Sequence, residues 1–402
     1  MQCDVTVVGG GMVGAALACG LAQAGFRVAL VEAREPDADW PADSHDIRVS
    51  ALTRASQNLF VNLGAWHAMA AARVTRYHAM HVWDAAGFGE IHFDAADLGE
   101  PDLGHIVENR VVQRALWQRL AQSGEVQVFC PDSVTGMEPV ADGMRMWLAS
   151  GGCLQADLIV AADGARSRVR DFAGFELQGW SYDQHALVAT VRPAAGHGGV
   201  AWQRFLPHGP LALLPLDPGL FSIVWSTAPE HAEELSALDD AAFGAALTEA
   251  SEGRAGDITA FGPRGVFPLR LQRATSYVKP GVVLVGDAAH VIHPLAGQGV
   301  NLGLLDAATL VDVLCDARTA GRALGGLATL RRYERARKGD NLAVQFAMDG
   351  FKRLFSNDLP PLRLLRNFGL QAANRYVPLK RLFMRTALGT GGERPSLVQA
   401  GR

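Results

Sequence analysis

A glycine-rich segment near the start of the chain has the spacing of a dinucleotide-binding turn. Gly9, Gly11 and Gly14 form a GxGxxG pattern between an apolar run, residues 4–8, and a helical pattern. The first glycine permits the tight bend, the second lets the backbone approach a pyrophosphate, and the third lets helix and strand pack closely, with the phosphate charge at the helix N-terminus. Glu32 lies 18 residues after Gly14, where a carboxylate can bind ribose hydroxyls. The pattern predicts dinucleotide binding without distinguishing NAD from FAD; the alternative is a glycine turn that binds no ligand.

A second group of candidate residues follows an apolar run at residues 282–285. Asp287 comes directly after this run, at the expected mouth of a sheet, where a carboxylate can accept a hydrogen bond from a ribityl hydroxyl of a flavin. The stretch 293–303, HPLAGQGVNLG, then opens a helix whose backbone amides would face a flavin ring and stabilise negative charge developing there. This second group favours FAD.

The elements around these residues predict an α/β fold. Residues 4–32 have the order strand, glycine turn, helix, strand, which is typical of a βαβ unit; a helix is expected within 105–125 and a buried strand at 157–164. Residues 180–270 alternate apolar and polar positions in short runs punctuated by Pro and Gly, which predicts an inserted antiparallel sheet. From residue 282 the α/β character returns, and helices follow to the end. The FAD-binding domain would then comprise 1–72, 105–178 and 270–345, the substrate domain 73–104 and 179–269, and a basic helical region 346–402.

Composition narrows the class of protein. Of 402 residues, 49% are hydrophobic and 19% charged, which excludes a disordered chain, and no apolar run reaches the roughly 18 residues of a membrane span. The N-terminal segment lacks the basic start of a secretory signal, and five cysteines without CxxC spacing suggest neither disulfides nor zinc, so we expect a cytoplasmic protein. The twelve histidines form no metal-ligand cluster, and no metal site is expected.

Charge is distributed unevenly along the chain. Residues 331–402 contain 15 Lys and Arg against 5 Asp and Glu, a net charge of +10, whereas the first 330 residues carry −14. A basic tail on an acidic body predicts an anionic partner such as the inner face of a membrane, with the protein bound peripherally; the alternative is a solvated helical face. We expect no nucleic-acid partner.

Several motifs together resemble a known family. The GxGxxG with Glu32, DLIVAADGARSRVR at 157–170 and VGDAAH at 285–290 resemble the three fingerprints of FAD-dependent aromatic hydroxylases, and HPLAGQGVNLGLLD at 293–306 resembles the signature of the ubiquinone-biosynthesis hydroxylases. The match extends from residue 4 to about 385. The resemblance implies a Rossmann-like FAD-binding domain of the aromatic-hydroxylase type, with an inserted antiparallel-sheet substrate domain and a C-terminal helical tail.

The resemblance also implies roles for individual residues. The implied cofactor residues are Gly9, Gly11, Gly14 and Glu32 for the ADP half of FAD, Arg48 for its phosphates, Asp163 and Gly164 for FAD and the nicotinamide reductant, Asp287 for the ribityl chain, and Gly299, Val300 and Asn301 for the flavin ring. Arg34, and Gln113 where many relatives carry Arg, are further cofactor-binding candidates. Pro294 would lie beside the reacting substrate ring, with His293 and Gln298 in the same loop. Simpler alternatives are a surface cation for Arg48, a helix N-cap for Asp163 and a turn residue for Pro294.

The implied reaction is a ring hydroxylation. In the family, flavin reduced by NAD(P)H or another donor reacts with O₂ to a C4a-hydroperoxide, whose distal oxygen passes to an electron-rich phenol. The sequence contains no GxSxG elbow, no second GxGxxG with a redox cysteine pair and no WxWxIP segment, which argues against hydrolases, disulfide reductases and flavin halogenases respectively.

Segments in the inserted sheet and the tail bear on the substrate. AWQRFLPHGPLALLPL at 201–216 resembles the ubiquinone hydroxylases, and residues 348–370 with 378–389 resemble the branch that hydroxylates a methyl-methoxy-benzoquinol at C6. This implies a polyprenylated phenol or benzoquinol substrate, a membrane-facing tail and membership of a multi-protein ubiquinone-biosynthesis complex; alternatively the tail helices simply pack on the core. Two other functions stay open. One is a catabolic hydroxylase of a small phenol, for which Arg204 is a candidate carboxylate anchor, and the other is a non-catalytic scaffold subunit.

Overall fold

The computed structural model describes residues 1–37, 39–292 and 299–355, followed by residues 367, 374, 376, 380, 381, 384, 388, 389 and 394–400. Its helices are α1 Met12–Gln23, α2 Arg54–Asn62, α3 Trp66–Ala72, α4 Asn109–Ala121, α5 Arg168–Phe172, α6 Pro229–Ala237, α7 Asp240–Ala250, α8 Gly299–Thr319 and α9 Leu327–Phe355.

A sheet with a parallel centre carries the glycine turn. Its strands are β1 Gln2–Val8, β2 Val28–Val31, β8 Val126–Phe129, β9 Val134–Val140, β10 Gly143–Leu148, β11 Cys153–Ala161, β17 Val278–Lys279 and β18 Val282–Leu284. The order is β17-β18-β11-β1-β2-β8, in which β18, β11, β1, β2 and β8 run parallel. β2 is buried throughout, as expected for a parallel strand covered on both faces. The carboxyl ends of β1, β11 and β18 therefore meet at one edge.

The second large sheet is built mainly from the middle of the chain. Its strands are β5 Ala79–Asp84, β6 Glu90–Asp94, β12 Leu177–Pro193, β13 Val200–Leu206, β14 Gly209–Leu216, β15 Leu220–Thr227, β16 Ile258–Ala274 and β19 His290–Val291. The order is β19-β16-β12-β15-β14-β13-β5-β6, antiparallel except for the parallel pair β13–β5. The two sheets confirm the predicted fold class, and the parallel pair departs from a purely antiparallel insert because β5 enters from an earlier part of the chain.

A small three-stranded sheet includes residues that the sequence predicted to lie in a helix. It contains β3 Val49–Leu52, β4 Thr75–Tyr77 and β7 Gly104–Glu108, with β7 in the centre and antiparallel to both neighbours. The helix expected over 105–125 therefore begins only at Asn109. Residues 105–108 instead belong to a strand, in which the β-branched Ile106 and Val107 pair with β3. A segment of four residues is too short to show the alternation of apolar and polar positions by which a strand is predicted.

The described part of the basic tail packs on the protein. Lys380 forms an ion pair with Asp97 at 2.6 Å, and Met384 is buried in an apolar cluster with Leu103. Asn62 Nδ2 donates to the carbonyl of Leu397 at 2.8 Å, which fastens the end of the chain to α2. These contacts favour the packing alternative at those positions, while most of 348–370 and 378–389 lies outside the described residues. No described helix is both long and apolar enough to cross a bilayer.

Candidate active site

The glycine turn between β1 and α1 has the backbone that its three glycines predict. Gly9 has φ +104°, and a Cβ there would lie 2.3 Å from the carbonyl oxygen of Ala162. A Cβ at Gly14 would lie 1.9 Å from the carbonyl oxygen of Gly9, so this position requires glycine for packing. A Cβ at Gly11 would meet no atom within 4 Å. Open space thus lies beside Gly11, directly at the N-terminus of α1, as a bound pyrophosphate requires.

Side chains hold this turn from two directions. Glu32 accepts hydrogen bonds from the backbone of Gly10 at 2.5 Å and of Arg34 at 3.0 Å. On the other side, Gln113 Nε2 and Trp117 Nε1 donate to the carbonyl of Gly10 at 3.1 and 2.8 Å. Gln113 therefore contacts the turn itself. Trp117 was missed by sequence reasoning, although it stands one helical turn after Gln113 on the same face of α4.

Asp163 lies just beyond the carboxyl end of β11. Its Oδ2 accepts from the backbone of Arg168 at 2.8 Å and of Val169 at 3.3 Å, in the first turn of α5, whose N-cap residue is Ser167 rather than Asp163. Its Oδ1 is buried and has no hydrogen-bond partner in the described part of the chain. Burial raises the pKa of this carboxyl, against hydrogen bonds that lower it. Gly164 follows with φ +78°. The unsatisfied Oδ1 is available to a ligand hydroxyl.

Asp287 occupies a 3-10 turn, Gly286–Ala288, at the end of β18. Its side chain is accessible at the surface, yet the surrounding protein desolvates it enough to raise the pKa, opposed by the charges of His290 and Arg48. We call the surface around this exposed carboxylate, at the end of β18, the recess. The exposed Arg48, on the segment before β3, is therefore close enough to act on the same recess.

Helix α8 begins at Gly299, directly after the undescribed part of the glycine-rich loop. Gly299 and Val300 are partly buried, whereas Asn301 is buried and tied to the small sheet. Asn301 Nδ2 donates to Ala51, and Asn301 Oδ1 accepts from the backbone of Thr53 and the hydroxyl of Ser56. The side chain of Asn301 thus fixes the helix start, a role that its place in the motif did not reveal. His293, Pro294 and Gln298 lie outside the described residues.

These residues fit FAD. The space at Gly11 suits a pyrophosphate, the carboxylate of Glu32 retains lone pairs for ribose hydroxyls, and Asp163 and Asp287 present carboxylate oxygens for other hydroxyls of the cofactor. All of them lie at or near the carboxyl ends of β1, β2, β11 and β18, the edge at which open α/β sheets bind ligands. Within the described residues no three His, Cys, Asp or Glu side chains are grouped to hold a metal ion.

Comparison with known proteins gives the family. The family described as FAD binding domain matches residues 2–344. Over 387 residues the chain is 43% identical to 3-demethoxyubiquinol 3-hydroxylase from Escherichia coli K12, covering 96% of this chain and 98% of that one. The chain belongs to this family of FAD-dependent monooxygenases. Ubiquinone hydroxylase UbiL from Rhodospirillum rubrum is 38% identical, with 98% of this chain and 92% of that one covered. Human COQ6, a mitochondrial ubiquinone biosynthesis monooxygenase, is also 38% identical, with coverage of 95% and 91%.

Solved structures show the same fold for this monooxygenase. p-Nitrophenol 4-monooxygenase PnpA from Pseudomonas putida has a TM-score of 0.78 at 20% identity, covering 98% of this chain and 99% of that one. A Klebsiella pneumoniae HpxO variant complexed with FAD has a TM-score of 0.73 at 20% identity, with coverage of 97% and 99%. At these identities the likeness concerns the fold alone. The family establishes FAD as the cofactor of this monooxygenase, with O₂ and a reductant as its co-substrates.

The second sheet of the monooxygenase has apolar residues on both faces, and helices α6 and α7 pack on one of them. Alternate residues such as Leu187 and Ile223 pack with Phe243 of α7 in one apolar cluster. The intervening residues form a second cluster on the opposite face, namely Tyr182, Ala186, Val188, Val224, Leu269 and Leu271. The sheet therefore has a second apolar layer, in which Tyr182, Ala186, Leu269 and Leu271 are buried, on the side away from α6 and α7.

Strand β16 brings this second sheet close to the recess. A Cβ at Gly265 would lie 2.7 Å from Ile47 Cδ1, so the strand passes directly over the segment that carries Arg48. Phe267, two residues further on, stays 38% exposed. The aromatic ring of Phe267 is thus an accessible apolar group near the flavin residues.

Arg204 does not serve the recess. Its guanidinium donates to Glu252 at 2.5 Å and to the carbonyl of Ala250, at the end of α7, at 2.7 Å. The sequence left Arg204 as a carboxylate anchor for a small phenol, and the structure contradicts this because the guanidinium is already paired on the helix-covered face of the sheet.

Proposed function

We propose that this monooxygenase hydroxylates the aromatic ring of a polyprenylated phenol or benzoquinol in ubiquinone biosynthesis, with C6 as the favoured position. The observation that carries the proposal is the full-length similarity to 3-demethoxyubiquinol 3-hydroxylase.

Different residues of the chain would bind different parts of FAD. When bound, FAD supplies the activation of O₂ that side chains cannot provide. The open space at Gly11 and the N-terminus of α1 would take the pyrophosphate, Glu32 the ribose and Asp287 the ribityl hydroxyls. Arg48 would pair with a phosphate. The start of α8 would direct backbone amides at the ring, where negative charge is stabilised by the helix dipole.

The substrate side of the proposal rests on the apolar sheet face. Apolar side chains on this face, among which Phe267 stays exposed, suit a ring with a long hydrocarbon substituent, because transferring such a chain out of water is favourable by about 0.8 kcal/mol for each CH₂ group. We infer that Phe267 contacts the substrate from this face. We also infer that Pro294, with His293 and Gln298, lies beside the reacting ring; these three roles rest on the family motif.

Association with a membrane surface is part of the same proposal. Trp180, Phe346 and Tyr376 are exposed large apolar side chains, and Arg273 lies 5.9 Å from the Phe346 ring. Aromatic groups next to cations are suited to an anionic bilayer interface. Flotation with vesicles of anionic and of neutral lipids tests this: binding to the anionic vesicles that Trp180→Ser and Phe346→Ser weaken would support it, and no binding would refute it.

Further parts of the proposal concern cellular context. We propose NAD(P)H as the electron donor, membership of a ubiquinone-biosynthesis complex, and a location at the cytoplasmic face of a membrane. We also keep the division into an FAD-binding domain, a substrate domain and a basic tail region as predicted from the sequence. Stopped-flow reduction of the flavin by NADH and NADPH tests the donor.

Lipid analysis tests the function directly. We expect a strain that lacks this gene to accumulate one under-hydroxylated prenylated precursor, whose structure by mass spectrometry names the ring carbon. Complementation by the wild-type gene should restore ubiquinone. A variant that folds but binds no FAD should not restore it; if it did, the scaffold function would be correct. Unchanged ubiquinone with hydroxylation of short phenols by the purified enzyme would instead support the catabolic function.

A further inference from the structure

A fully buried carboxylate lies immediately behind the recess. Asp306, on α8, has no solvent-exposed surface. It accepts four hydrogen bonds: from the backbone of Gly286 at 3.1 Å, His290 Nε2 at 2.5 Å, Arg337 Nε at 2.8 Å and Asn341 Nδ2 at 3.2 Å. Each carboxylate oxygen accepts two of these bonds, so its capacity is filled.

The arrangement keeps this carboxylate ionised. Burial alone raises the pKa of Asp306, but the charges and hydrogen bonds of His290 and Arg337 outweigh burial and lower it to about 2. Arg337 is itself buried and also donates to Asn341 at 2.9 Å. A buried ion pair of this kind is strongly destabilised when one partner is removed, because the other charge is left without compensation.

The donors of Asp306 come from three separate elements. Gly286 opens the turn that carries Asp287, His290 lies in β19 just after it, and both bond to the same oxygen, Oδ2. Arg337 and Asn341 come from α9 and bond to the other oxygen, Oδ1. Asp306 therefore joins the Asp287 turn to α9 through α8.

From this geometry we propose that His290, Asp306 and Arg337 are positioning residues for FAD. They fix the backbone on both sides of Asp287, so that its carboxylate is held in the recess before the cofactor arrives. Preorganisation of this kind increases affinity because less freedom is lost on binding. The proposal also makes FAD affinity depend on the docking of α9, which carries none of the residues assigned above to FAD. It requires only that FAD binds at Asp287, whatever the organic substrate.

A rescue experiment on His290 distinguishes positioning from general stability. His290→Gln keeps an N–H donor at the reach of Nε2, whereas His290→Leu removes it. In titrations of the apoprotein with FAD, followed by flavin fluorescence, we expect His290→Leu to raise the Kd about tenfold and His290→Gln to stay within about twofold of wild type. Asp306→Asn should weaken binding at least as much as His290→Leu.

Tyr333 provides the matched control. Its hydroxyl donates from α9 to the carbonyl of Leu284 at 3.0 Å and is not among the four hydrogen-bond donors of Asp306 named above. Tyr333→Phe should lower the thermal midpoint of the apoprotein but leave the Kd for FAD unchanged. The proposal is overturned if His290→Leu binds FAD like wild type, or if Tyr333→Phe weakens FAD binding as much as His290→Leu. Should Asp306→Asn not fold, the three variants at His290 and Tyr333 still decide.

Discussion

Asn301 donates from its side-chain amide to the backbone carbonyl of Ala51 at 2.8 Å, across 250 positions of sequence. Through this bond the first turn of α8 is fastened to strand β3 of the small sheet. The same amide accepts from Thr53 and Ser56, at the start of α2. The helix whose N-terminus we propose to face the flavin ring is thus oriented by a segment from the first part of the chain.

Replacing Asn301 should destabilise the fold. Asn301→Ala leaves the carbonyl of Ala51, the amide of Thr53 and the hydroxyl of Ser56 without this partner, so we expect the free energy of unfolding to fall by about 3 kcal/mol. Urea denaturation of the apoprotein measures it. Asn58→Ala removes the hydrogen bond from Asn58 Nδ2 to the carbonyl of Val398 at 3.1 Å, and it should lower the free energy of unfolding by only about 1 kcal/mol. Equal losses in the two variants would contradict this account.

Two glycines in one turn should respond differently to the same substitution. Gly14→Ala places a Cβ against the backbone of Gly9, so the apoprotein should be strongly destabilised. Gly11 has φ −69° and open space, so Gly11→Ala should leave apoprotein stability unchanged while the Kd for FAD rises, because the methyl group occupies space next to the helix N-terminus. Thermal unfolding and FAD titration of both variants check this. Tight FAD binding by Gly11→Ala, or by the bulkier Gly11→Val, would refute the assigned phosphate position.

Asp287 should matter for the cofactor and little for the core. Its side chain makes no hydrogen bond in the described structure, so Asp287→Ala should purify folded but depleted of flavin. The ratio of flavin to protein absorbance measures occupancy, and circular dichroism checks the fold. Asp142→Ala, at an exposed site on the β9–β10 turn, is the control and should retain full occupancy. Full flavin occupancy in Asp287→Ala would show that this carboxylate does not bind FAD.

The sequence allowed prediction of features that are encoded locally. The glycine turn, the strands on both sides of α1 and the position of Asp287 after β18 each depend on a few consecutive residues, and so does the alternation within 185–227. The apolar periodicity of these segments reports directly on burial. The parallel pairing of β5 with β13 depends instead on strands more than a hundred residues apart, which no local pattern specifies.

Other features of the site depend on contacts between distant side chains. His290, Asp306 and Arg337 each look like ordinary polar residues within their own segments, and only the packing of α8 between a turn and α9 unites them. Likewise, the strand sequence around Arg204 is compatible with a substrate anchor. Only the structure shows that Arg204 lies on the face of the sheet that α7 covers, where it bonds to the carbonyl of Ala250.

Stability should fall between pH 6.5 and 4 in part because of one histidine. Burial lowers the pKa of His105 to about 4, although the nearby Asp102 opposes the shift and Arg54 adds to it. The unfolded chain therefore binds a proton in this range that the folded chain does not, and acidification favours unfolding. In His105→Gln the free energy of unfolding should depend less steeply on pH between 4 and 6.5. An identical slope in denaturation curves of both proteins would show that His105 is not the group responsible.

The residues around the recess are contributed by nearly the whole length of the chain. Gly11 directly precedes the first helix, Asp163 follows a strand in the middle, and Asp287 lies in a turn that Asp306 joins to Arg337 near the other end of the chain. Neighbouring strands β1, β11 and β18 are likewise made at widely separated times during translation. A nascent chain therefore has no complete nucleotide pocket until most of the polypeptide has left the ribosome, and FAD must be acquired late, by a nearly finished protein.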